Sequence, residues 1–82
     1  MLDVLFFARY KEALGRERVR LDWQANWRSL EYVRQHLIAR GEPWDVLQGP
    51  GLMCARNQDI CPLSTQVEPG DEIAFFPTVT GG

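Results

Sequence analysis

Two strongly apolar segments stand at opposite ends of this chain, with one amphipathic stripe between them. Leu2 to Ala8 is almost unbroken in apolar residues, and Glu72 to Phe76 repeats the pattern near the other end. A strand-length run of this kind suits a strand covered on both faces, which places it inside a sheet. The stripe is Leu30, Val33 and Leu37, with Ile38 beside them. Spacings of three and four residues predict an amphipathic helix. Ser29 is its expected N-cap, Glu31 suits its first turn, and Gly41 marks its end.

The remaining segments are shorter. Arg9 to Leu14 forms a short helix stopped by Gly15. Arg18 to Leu21 alternates polar and apolar, the pattern of a half-exposed strand. Pro43 opens a short turn holding Trp44, Val46 and Leu47. Leu52 to Arg56 reads as a strand and Asn57-Gln58-Asp59 as a turn. Ile60 to Leu63 is a short edge strand, because Pro62 cannot donate to a ladder. Pro69-Gly70 has the central residues of a type II turn. One helix covers only one face of a sheet, and two interior strands must share its middle. Placing the first and last strands side by side gives an α+β fold with a mixed sheet, a β-grasp. Residues 1–77 form this domain and residues 78–82 an extended tail.

Composition narrows the class. A chain of 82 residues and 9.4 kDa holds one domain. With 45% hydrophobic and 24% charged residues it matches a globular domain rather than a disordered chain or a coiled coil. No apolar run is long enough to span a membrane. A net charge of −2 and a pI near 5.2 argue against nucleic-acid binding. The first apolar run follows Asp3 and precedes no small-residue cleavage site, so a signal peptide is not expected. Cys54 and Cys61 fit neither a disulfide scaffold nor a zinc spacing. They read as reduced thiols of a cytoplasmic protein. All nine Lys and Arg fall within residues 1–56; residues 57–82 carry Asp59, Glu68, Asp71 and Glu72 and no base. That segment is either a solvated acidic edge or a surface for a basic partner.

Catalytic groups are scarce. His36 is the only histidine and reads as a helix surface residue. A metal needs more ligands than the chain offers. No Gly-rich phosphate loop follows a strand, so the chain is not expected to bind ATP or another cofactor itself. Cys54 and Cys61 read as small packing residues, and nothing in the sequence lowers their pKa for a persulfide relay. Trp23, Trp27 and Trp44 read as half-buried packing, with a partner anchor as the alternative. Arg16, Arg18 and Arg20 read as the solvated side of a hairpin.

The chain closes Phe75-Phe76-Pro77-Thr78-Val79-Thr80-Gly81-Gly82. Pro77 lacks an N–H, so strand pairing is expected to weaken there. It also biases Phe76 towards extended backbone, as β-branched Thr78, Val79 and Thr80 do for themselves. The residues after Pro77 can reach about 17 Å. Gly81 and Gly82 have no side chains and can enter a narrow channel, ending in an unhindered carboxylate. Activated as an acyl-adenylate, such a carboxylate can accept sulfur and become a thiocarboxylate. A protein delivering that sulfur needs a rigid body, a reaching tail and a bare end.

These residues resemble the ubiquitin-like sulfur carriers that form the small subunit of molybdopterin synthase. The resemblance spans the chain. It rests on Val4-Leu5-Phe6-Phe7-Ala8, Arg34-Gln35-His36-Leu37, Ala55-Arg56-Asn57-Gln58, the run from Pro69 to Pro77, and Val79-Thr80-Gly81-Gly82. It implies a β-grasp whose Gly82 is activated by an ATP-using adenylyltransferase and converted to a thiocarboxylate by a sulfur donor. It further implies a heterotetramer with the large synthase subunit and sulfur transfer to cyclic pyranopterin monophosphate. Phe75, Phe76, Pro77, Thr78, Val79, Thr80 and Gly81 would form the docking tail, with one of the phenylalanine pair facing the core. Two positions depart from the pattern: Thr78 stands where a second proline is common, and Arg56 where an apolar residue is. Alternatives are a carrier for thiamin thiazole, tRNA thiolation or cysteine synthesis, a plain ubiquitin-like interaction module, or a thiol protein acting through Cys54 or Cys61.

Overall fold

The computed structural model describes residues 1–78; Val79, Thr80, Gly81 and Gly82 lie outside the described residues. The chain runs through β1 (Leu2–Phe6), α1 (Ala8–Leu14), β2 (Arg18–Leu21), α2 (Leu30–Ile38), a 3-10 turn (Trp44–Gln48), β3 (Leu52–Arg56), β4 (Asp59–Cys61) and β5 (Glu72–Pro77). The strands form one sheet in the order β2-β1-β5-β3-β4. β1 and β5 are parallel, with Val4 opposite Ile73 and Phe6 opposite Phe75. The other pairs are antiparallel. The two end strands therefore share the middle of a mixed sheet, and the fold is a β-grasp.

Alternation turns Leu2, Val4, Phe6, Ile73 and Phe75 to one face, where they meet Leu30, Val33 and Leu37 of α2. None of these is more than 1% exposed. Burying each such side chain contributes about 1.5–3 kcal/mol. Phe6 stacks on Phe75 at 6.4 Å and meets Trp44 edge-on at 5.8 Å. Gly15 ends α1 in the left-handed conformation at φ 69°.

Three local expectations change. Ser29 sits at the N-cap of α2, but its hydroxyl makes no cap bond. The Leu30 N–H donates instead to the Thr65 carbonyl at 3.1 Å, and the Glu31 N–H to Leu63 at 3.0 Å. A distant loop thus satisfies the first turn. β4 starts at Asp59 and stops before Pro62, because Asn57 and Gln58, at φ 49° and 73°, complete the hairpin turn alone. Pairing also continues past Pro77: Leu52 lies opposite it, and the Thr78 N–H reaches the Gly51 carbonyl. Backbone polar groups alternate sides along a strand, so the nitrogen of Pro77 faces away from β3. On that side β1 has already ended at Phe6, and no ladder bond is lost.

Buried Asp71 ties the hairpin tip to the start of β5. It accepts from Arg56 Nε at 2.6 Å, Asn57 Nδ2 at 3.1 Å and the Glu68 N–H at 2.8 Å. The Glu72 N–H donates to Asn57 Oδ1 at 2.9 Å. Burial alone would raise the Asp71 pKa. The bonds from Arg56, Asn57 and the Glu68 N–H, with the charge of Arg56, outweigh it and hold the carboxyl below its ordinary 3.8. This pairing accounts for a charged Arg56 in a strand.

Candidate functional site

Among the described residues, helical cover exists on one face of the sheet only. Alternation turns Leu5, Phe7, Met53, Ala55, Ile60, Ala74 and Phe76 to the other. The register lines up Leu5, Ala74, Ala55 and Ile60 across neighbouring strands. Phe76 lies opposite Met53 in the next row. Ile60 is 69% exposed and Phe7 48%. Leu5, Met53, Ala74 and Phe76 are half-buried and Ala55 is buried, so Ile60 and Phe7 are the exposed members of an otherwise apolar face, a candidate interaction surface. Arg18, opposite Leu5, and the Arg20–Asp3 pair at 3.0 Å supply its polar rim.

The tail leaves from one end of this face. Phe75 is fully buried, so its expected docking contact is corrected: it belongs to the core. Phe76, one residue on, points outward and is half-buried. Pro77 ends β5, and Thr78 is exposed against the Gly49-Pro50-Gly51 loop. The Thr78 N–H and Oγ1 both donate to the Gly51 carbonyl, at 2.6 and 2.5 Å. Arg9 Nη2 donates to the Pro50 carbonyl at 3.3 Å from the other side. The expected roles of Val79, Thr80, Gly81 and Gly82 fall outside the described residues.

The acidic last third does not surround this exit. Asp71 and Glu72 lie at the start of β5, the full length of the strand from Thr78, and Asp59 faces Arg56 at the hairpin tip. Glu68 and Asp71 are both paired with Arg56, at 3.6 and 2.6 Å. Two of the four acids, Glu68 and Asp71, are thus engaged with Arg56 inside the chain.

The other candidate groups do not assemble a catalytic centre. Cys54 is buried opposite Cys61 and its thiol donates to the Cys61 carbonyl at 3.0 Å. Burial, and then the neighbouring Cys61, push the Cys54 pKa up to about 12. The thiol stays protonated near neutrality and is a poor nucleophile. His36 lies against Trp27 with ring centres 5.1 Å apart, in an open groove with Gln24, Tyr32 and Gln35. Arg16 and Arg40 stack over Trp44 at 5.5 and 4.9 Å. Arg16 is thus a packing cation, unlike outward-facing Arg18 and Arg20. Among the described residues no three His, Cys, Asp or Glu come together to hold a metal. No helix among them is long and apolar enough to cross a membrane.

What remains is a folded body with an apolar face, and Phe76 to Thr78 at one end of it. Residues 4–82 match the model of the ThiS family. The chain belongs to the ThiS family. The molybdopterin synthase sulfur carrier subunit of Haemophilus influenzae is 45% identical to it over 100% of both chains. The subunit of the same name from Escherichia coli is 37% identical, again over 100% of both. Among solved structures, the complex of subunits 1 and 2 of molybdopterin-converting factor from Helicobacter pylori contains the same fold. Its matching chain has a TM-score of 0.65 and 22% identity, over 99% of this chain and 97% of that one.

Sequence reasoning anticipated that one helix covers only one face of the sheet, but it did not name the residues of the open face. Its signal was present in the apolar character of both sides of β1 and β5. What was missing was the register, which decides which residues of each strand share that side.

Proposed function

We propose that this chain is the sulfur-carrier subunit of a molybdopterin synthase. The observation that carries the proposal is full-length similarity to two proteins of that name. The geometry fits it: a carrier needs a docking surface and a reaching end, and no catalytic centre of its own.

In this reading the Gly82 carboxylate attacks ATP on a partner adenylyltransferase and releases pyrophosphate. A sulfur donor then displaces AMP, leaving a thiocarboxylate. The apolar face docks on the large subunit, and Gly81 and Gly82 enter its channel. The thiocarboxylate sulfur bonds to cyclic pyranopterin monophosphate, water cleaves the resulting thioester and returns the carboxylate, and a second carrier delivers the second sulfur of the dithiolene. Confinement in the channel supplies the proximity that the step needs. Acid and base groups come from the large subunit, so the chain acts as an enzyme only within the heterotetramer. It binds no cofactor itself, ATP being held by the adenylyltransferase, and it works in the cytoplasm.

A single-turnover assay tests this. The Gly82 thiocarboxylate is mixed with a large subunit and cyclic pyranopterin monophosphate, and molybdopterin is detected. Product is expected, and none from a chain lacking Gly82. No product from a thiocarboxylate confirmed by mass, with a large subunit active on its own carrier, would overturn the assignment and point to another sulfur pathway.

A further inference from the structure

The root of the tail is held more firmly than a strand end requires. Two donors of Thr78, its N–H at 2.6 Å and Oγ1 at 2.5 Å, converge on the Gly51 carbonyl. A carbonyl oxygen has two lone pairs and accepts both. The acceptor is itself fixed. Gly51 adopts φ +81°, a left-handed conformation that favours glycine. A Cβ there would lie 3.5 Å from Thr78 Oγ1 and 3.9 Å from Arg9 Nη2, so loop, tail and α1 meet at one point. Arg9 holds the loop from behind through the Pro50 carbonyl at 3.3 Å. Strand pairing needs only the N–H; the hydroxyl bond is additional.

We propose that Thr78 is a positioning residue, whose two bonds to Gly51 set the direction in which the tail leaves the sheet and thereby how readily an activating enzyme captures it. The inference rests on the carrier reading. The tail beyond Thr78 must thread a partner's site, and each rotatable bond free at its root multiplies the orientations to be searched. Anchoring both the backbone and the side chain of Thr78 removes that freedom before the encounter. Serine preserves both donors, valine preserves only the N–H, and proline preserves neither. Thr78 touches no reacting atom, so its effect falls on capture rather than on the chemical step.

The test is steady-state adenylation of the full chain by an adenylyltransferase active on its own carrier, read as pyrophosphate release. Thr78→Val is expected to raise KM about three- to ten-fold, the worth of one net hydrogen bond, with kcat unchanged and the thermal midpoint lowered by only a few degrees, well above the assay temperature. Thr78→Ser is expected to keep the wild-type KM. Amide exchange at Thr78 is expected to quicken in Thr78→Val and not in Thr78→Ser. A valine variant with wild-type KM, or a KM raised only at temperatures where that variant unfolds, would overturn the proposal while leaving the carrier reading standing. A wild-type chain that is never adenylated would sink the carrier reading, and this proposal with it.

Discussion

The two faces of the sheet are built from similar residues and end differently. On one, Val4, Phe6, Ile73 and Phe75 disappear under α2 and the 3-10 turn. On the other, Leu5, Ala74, Ala55 and Ile60 line up in register, with no helix above them among the described residues. An interior strand that is apolar on both sides implies cover on both sides. The fold supplies one cover, and the unfilled side points to a partner. The contrast is sharpest at adjacent residues: Phe75 is core and Phe76 is surface.

The comparison can be broken first at Phe75. Phe75→Ala removes a fully buried ring and is expected to cost about 3–5 kcal/mol in denaturant unfolding. A loss below about 1 kcal/mol would mean that the two faces are not distinct in the way described.

A smaller effect is expected at the acidic end of β5. Asp71→Ala strips the partner from Arg56, Asn57 and the Glu68 N–H, and should cost about 1–3 kcal/mol. The pH dependence has a definite sign. Because the folded pKa lies below the ordinary 3.8, the Asp71 contribution is complete above that value and is lost as pH falls through the folded one. Stability measured from pH 6 downwards should therefore fall more steeply in the wild type than in Asp71→Ala. Parallel curves would remove Asp71 as the anchor of the hairpin tip.

The smallest expected change sharpens the comparison from the outer side. Ile60→Asp places a charge on the exposed row and should weaken binding to a large synthase subunit about tenfold, ~1.4 kcal/mol. Thermal stability should stay within about 0.5 kcal/mol of the wild type, as for other surface changes. Unchanged binding, measured by calorimetry, would move the docking surface elsewhere.

Much of this architecture was readable beforehand. The spacing of Leu30, Val33 and Leu37 announced α2, and Gly15 announced the end of α1, because helix periodicity and left-handed caps are local. Arg56 was legible only as an oddity, since its partner Asp71 lies far along the chain. Ser29 was read as a cap because cap propensity is local. The Thr65 and Leu63 carbonyls that replace it arrive from a distant loop.

The sequence by itself determined that two apolar strands share the sheet interior and that α2 is amphipathic. Both depend on residue type and short-range sterics. Only the tertiary structure decided which of Phe75 and Phe76 is buried, that the acids near the end of the chain sit far from the tail exit, and that Thr78 is bonded to Gly51. Each depends on the parallel register of β1 with β5 or the antiparallel register of β3 with β5. Register is a long-range property, chosen by which face the helices bury.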